Sequence, residues 1–476
     1  MKKVLSLFLS SLLLFAAVLP AFAQEEAASP VVYVPDGAAV FTEAGEPVLP
    51  AADAFAAAAY EETGSAFINA QYLGRWDAYF AKLLTVTDTA FAAYRPDETG
   101  AFAGTPAAAQ NGTFPNTFVY DARRDPCALA AELRDYIDSI LADTGADTVR
   151  LISQGFGSAV AAAYVTACGW ETLSSFVMIG SAAQGSDFVG EAFSGRFYAD
   201  DAAVTSYLRQ ESRLEEPLSA LLTLSVFNAH ESGILTAGVR LSAGLTADDG
   251  VPAVLRASYA LCPGVWALVD GDHYEAAKAY LLTDADAGLI AVTDAYHYNV
   301  QQKLNETLTA MRQDGVFVYN IASYGVSLPP LTESAAAPAD GLVPFYRQSC
   351  AAAAVPTDDY VTGAHFLLPD TTWGVRGLAH GTLPAVVADF ARTLSQSETE
   401  FTVKSDPAHP QFLVYNAASG TLAAPETPIP AEPVGFITRM FTGFRRAVRA
   451  FFLYVRSFLT SYLSSLTEKD LANFKP

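Results

Sequence analysis

The sequence predicts an α/β fold, a mostly parallel central sheet flanked by helices, on three observations. Short β-branched and aromatic runs alternate with helical stretches up to about residue 187 and again from about 314. One transition, "RLISQGFGSAVAAAY" (150–164), joins a strand to a small-residue helix through a tight glycine turn, the connection a parallel sheet needs. At 51% hydrophobic and 12% aromatic, the 476 residues suit a sizeable core rather than a disordered chain.

The elements follow in order. Lys2 and Lys3 precede an apolar run too short for a comfortable bilayer span, which ends in Ala21-Phe22-Ala23. Residues 1–23 therefore read as a signal peptide, and the protein is expected to be exported, secreted or held at the cell envelope. "VVYV" (31–34) predicts a buried strand followed by a turn at Asp36 and Gly37, and "FVYDAR" (118–123) a second strand. A helix over 125–145 starts at an N-cap, Asp125, carries apolar residues three and four apart, and stops at Gly145. Strand 148–152, helix 157–169 and strand 174–182 come next. The strand rhythm is then lost over 188–313, which reads as a helical cap or lid inserted into the core, and it resumes with "GVFVYNIASYG" (315–325). Segments 24–187 and 314–397 thus form the core. A short β-rich extension (398–423), a proline-rich linker (424–433) and a basic helical tail (434–476) follow.

Composition narrows the partners. With 28 basic against 51 acidic residues, the net charge of −23 disfavours nucleic acid. Cys127, Cys168, Cys262 and Cys350 lack metal-ligand spacing, and no cofactor or metal is expected. "DGDHYEA" (270–276) reads as a helix cap rather than a metal site, and "DADAGLIAVTD" (284–294) as a helix connection rather than a calcium loop.

The glycine turn matches the setting of the nucleophile motif G-x-S-x-G, in which a strained strand-to-helix turn presents a serine. Here the five positions are Ser153, Gln154, Gly155, Phe156 and Gly157, so Gly155 stands in the nucleophile's place. The acid and base that would complete such a site follow in the required chain order as Asp340 and His380, with His365 and Asp370 as rivals read as structural. Phe156, which follows the nucleophile's position, is expected on the oxyanion side of the pocket. Shifting the motif by two residues would instead make Ser153 the nucleophile.

With these segments the chain resembles the α/β-hydrolases related to lecithin:cholesterol acyltransferase, secreted or lipid-facing lipases and acyltransferases. "VVYVPDGAAVF" is similar to that family's first strand and turn, "FVYDARRDP" to its Tyr-Asp-Trp-Arg segment, and "RLISQGFGSAVAAAY" to its elbow. "SAAQGSDFVGEAFSG", "ADGLVP" and "GLAH" extend the likeness to residue 380. The resemblance implies an α/β-hydrolase fold with a helical cap and a serine, acid and histidine site. Two departures oppose that activity, Gly155 for the serine and Asp36 for a glycine of the first turn, where the resemblance puts Asp36 and Gly37 on the oxyanion side of the pocket; Ala122 also replaces the tryptophan. A carboxylate at residue 36 would oppose an oxyanion.

Over 434–466 apolar residues recur at helical spacing, and Arg439, Arg445, Arg446, Arg449 and Arg456 are the only charges. This amphipathic helix is expected to lie on the protein's own acidic body, at a membrane interface or against a partner. Three functions stay open. The leading one is a catalytically impaired lipase or acyltransferase relative that retains a site for an acyl or apolar ligand. The others are an active esterase using Ser153 with Asp340 and His380, and an envelope- or partner-interacting protein acting through its tail.

Overall fold

The structure, a computed structural model, describes residues 29–73, 76–107, 113–197, 250–349, 372–396 and 412–423. The expected signal peptide, most of the first half of the inserted segment, His365, Asp370, Cys350 and the tail helix lie outside these residues.

Among the described residues, ten strands and a series of helices alternate along the chain. β1 (Val31–Val34) is followed by β2 (Val40–Phe41), two helices, α1 (Ala52–Leu73) and α2 (Trp76–Ala90), then β3 (Thr105–Pro106) and β4 (Asn116–Thr117). Next come α3 (Pro126–Thr144), β5 (Val149–Gln154), α4 (Gly157–Cys168), β6 (Leu173–Ile179) and α5 (Asp187–Phe193). A helical segment holds α6 (Gly250–Ser258), α7 (Tyr274–Leu281), α8 (Ala287–Asn299) and α9 (Leu304–Gln313). β7 (Phe317–Tyr324), β8 (Thr372–Arg376), α10 (Ala385–Ser395), β9 (Phe412–Asn416) and β10 (Thr421–Ala423) complete the order.

Eight strands form one sheet in the order β10-β9-β8-β7-β6-β5-β1-β4, parallel throughout except for the β9–β10 hairpin. Helices cover both faces. Leu129, Leu133 and Ile137 of α3, the small-residue face of α4 and Leu304, Leu308 and Met311 of α9 bury one side. Val387, Ala388, Ala391 and Leu394 of α10 bury the other against Ile152, Val177, Ile321 and Trp373. The α/β class expected from the sequence is what the chain adopts.

Local chemistry sets the boundaries. Asp125 accepts the Cys127 N–H at 2.9 Å, Pro126 opens α3, and Gly145 closes it in the left-handed conformation at φ 68°. The strand expected over 118–123 does not form: β4 ends at Thr117, and the residues after it turn away. The Phe118 N–H bonds to Tyr33 O at 2.8 Å and Tyr120 O accepts from the Ala38 N–H at 3.4 Å, and then the Asp121 side chain and carbonyl take the Arg123 and Arg124 N–H groups and turn the backbone. Asp121 and Arg123 form a buried ion pair there, and Arg123 also donates to the carbonyls of Ala93, Tyr94 and Ala103.

β1 lies between β4 and β5, so the chain leaves β1 toward one edge and leaves β5 toward the other. At such a switch point the connections diverge and open a crevice beyond the carboxyl ends of the strands. The β1–β5 register pairs Val34 with Ser153, which brings the turn at Pro35 and Asp36 beside Gln154 and Gly155.

Candidate functional site

Four of the residues singled out in the sequence meet at this crevice. Gly155 ends β5 with φ 49°, the left-handed conformation that favours glycine. Its N–H donates to Ile179 O at 2.9 Å and its carbonyl accepts from Ser158 and Ala182, so the turn is held from three directions. Gly157 is required for a different reason: a β-carbon there would lie 2.2 Å from Pro35 O, so only glycine lets α4 start against the β1 turn.

Asp36 reaches across this contact. Its Oδ1 accepts the Phe156 N–H at 2.5 Å, at the start of α4, where unpaired amides and the helix dipole favour an anion. A β-carbon on Gly155 would lie 1.8 Å from that oxygen, so the carboxylate stands in the space a side chain at 155 would use. Tyr120 fixes the turn by donating to Pro35 O at 2.6 Å, and its ring stacks on Phe156 at 6.2 Å. Gly37, at φ 127°, continues the turn past Ala122.

Asp340 follows β7 and His380 follows β8, both at the carboxyl end of the sheet. The Asp340 Oδ1 accepts the N–H groups of Leu342 and Val343, which fixes the carboxylate, and its Oδ2 meets His380 Nδ1 at 2.8 Å. The His380 N–H also bonds to Asp340 O at 2.7 Å. On the other side of the ring, Nε2 lies 3.5 Å from Asp36 Oδ1. His380 is thus held between two carboxylates, one buried and one with 27% of its side chain exposed. Burial alone would lower the imidazole's affinity for a proton. The hydrogen bonds to Asp340 and Asp36, with their charges, outweigh it and push the pKa up to about 10.

Gln154 completes the wall. Its Oε1 accepts from Tyr33 Oη and its Nε2 donates to Thr382 O at 3.0 Å, which ties β5 to the His380 loop. The cleft beside Gly155, Gly180, Ser323, Asp340 and His380 is narrow, with about 10 Å³ for the centres of water-sized molecules, about enough for a single water. A larger groove of about 580 Å³, lined by Cys127, Trp170 and Val300 among others, lies on the outer helical face and contains none of these residues.

Ser153 is placed differently. It is fully buried, and its Oγ pairs with Ser158 Oγ at 3.0 Å.

Sequence reasoning missed a second polar cluster. Arg347 donates to Asp187 Oδ1 at 2.8 Å, Asp270 Oδ1 at 3.1 Å and Asp272 Oδ2 at 2.6 Å, and Tyr346 donates to Asp187. His273 Nδ1 meets Asp270 Oδ2 at 2.7 Å, and that bond raises its pKa. Asp187, Asp270 and His273 converge as metal ligands do, but the guanidinium already lies among them. The "DGDHYEA" motif accordingly caps a turn, with Asp270 Oδ1 accepting from the Asp272 and His273 amides. Cys127, Cys168 and Cys262 are free thiols.

No helix among the described residues is long and apolar enough to cross a membrane. No protein-family model matches the chain, and no curated protein matches it.

Proposed function

We propose that the protein is an exported α/β-hydrolase-fold relative of lipases and acyltransferases that has lost serine acyl-transfer chemistry, with 250–313 belonging to its helical cap. The carrying observation is the Asp36 carboxylate, which fills the space of a side chain at 155 and occupies the Phe156 amide. In a serine hydrolase that amide, following the nucleophile, holds the oxyanion. Here it is already taken by a negative charge, so neither nucleophile nor oxyanion has a place.

The charge state of His380 supports the same reading. A general base for serine must be neutral, and the carboxylates of Asp340 and Asp36 favour the protonated form of the His380 ring. The alternative nucleophile, Ser153, is bonded to Ser158 beneath the turn and fully buried. The narrow cleft gives little support to a long acyl ligand at this position. The tail helix, proposed to bind a membrane interface, is independent of the site.

A fluorophosphonate probe tests the reading: the expected outcome is no adduct at concentrations that label a control lipase. An adduct mapped to Ser153 would overturn it.

A further inference from the structure

We draw no further inference here: the strongest candidate, the groove of about 580 Å³ between α3, α4, α8 and α9 lined by Cys127, Trp170 and Val300, carries one exposed residue of each charge, Lys303 and Glu306, and nothing in the structure shows what covers it.

Discussion

The Oδ1 atom of Asp36 lies 1.8 Å from the position a β-carbon on residue 155 would take, so the side chains at 36 and 155 exclude one another. Gly155→Ala should therefore destabilise the fold twice over. The left-handed backbone costs on the order of 1–3 kcal/mol for a non-glycine residue, and the carboxylate must leave the Phe156 amide. Asp36→Gly should relieve the second part only. Urea denaturation of both single variants and the double variant is expected to give a coupling free energy of about 1 kcal/mol or more. Simple additivity would mean that the two positions do not compete for space.

The same exclusion governs ester chemistry. In Gly155→Ser alone the displaced Asp36 carboxylate still lies beside the turn and opposes an oxyanion there, and Asp36→Gly alone supplies no nucleophile. Neither is expected to cleave p-nitrophenyl acetate above background. The pair should do so, because it frees the amide, restores the hydroxyl and removes one of the two carboxylates that keep His380 protonated. Adding His380→Ala should take most of that gain away, since removing one member of such a set can cost up to about a millionfold. Activity in Gly155→Ser alone would show that Asp36 yields its place readily.

Much of this site was legible in the sequence because its parts sit at motif positions. The glycine turn with its small-residue helix, the acid after one strand and the histidine after the next can all be read from order and local pattern, and the structure brings Gly155, Asp340 and His380 together. The role of Asp36 was half legible. Its charge could be read as hostile to an oxyanion, but its occupation of the space at 155 depends on the β1–β5 register, which pairs residues 119 apart. Arg347 was not legible at all, since nothing local links it to Asp187, Asp270 and Asp272. Helices α1 and α2, with their alanine-rich and weakly patterned faces, and the short strand β8 carried too little periodicity to stand out.

Arg347 is expected to be among the most sensitive positions outside the cleft. Asp270 is fully buried and Asp187 nearly so, and Arg347 neutralises both while its ring neighbour Tyr346 donates to Asp187. Arg347→Met keeps volume but leaves two buried carboxylates with one fewer cation. Breaking a buried pair from one side costs about 3–5 kcal/mol. Chemical denaturation at neutral pH checks it; a loss below about 1 kcal/mol would mean the cluster is hydrated.

The tail makes a prediction that no catalytic result can alter. A peptide spanning 434–466, with its five arginines and its apolar stripe, should become helical on vesicles containing anionic lipid and not on neutral ones. Circular dichroism with and without added salt reads both points, because the electrostatic part is screened by salt. Equal binding to neutral vesicles would assign the affinity to the apolar face alone. Deleting the tail should leave the melting temperature of the remaining chain unchanged; a large drop would place the helix in the core.

The double clamp on His380 sets the pH dependence of stability. Burial lowers the ring's proton affinity, but the hydrogen bonds to Asp340 and Asp36 and their charges raise it further, to about 10 from an ordinary 6.5. Because the folded pKa is the higher one, the folded state keeps a proton that the unfolded chain has released between these two values. The contribution is fully present below about pH 6.5 and is lost as pH rises toward about 10, with a limiting slope of about 1.4 kcal/mol per pH unit from this one group. Asp36→Asn removes one of the two carboxylates, so the ring should release its proton at lower pH and the decline should end earlier. His380→Gln should abolish this part of the slope. Urea denaturation at intervals from pH 6 to 10 compares the three proteins directly. If wild type and Asp36→Asn decline in parallel across the whole window, Asp36 does not help to hold the proton on His380, and the charge argument against serine chemistry loses its basis.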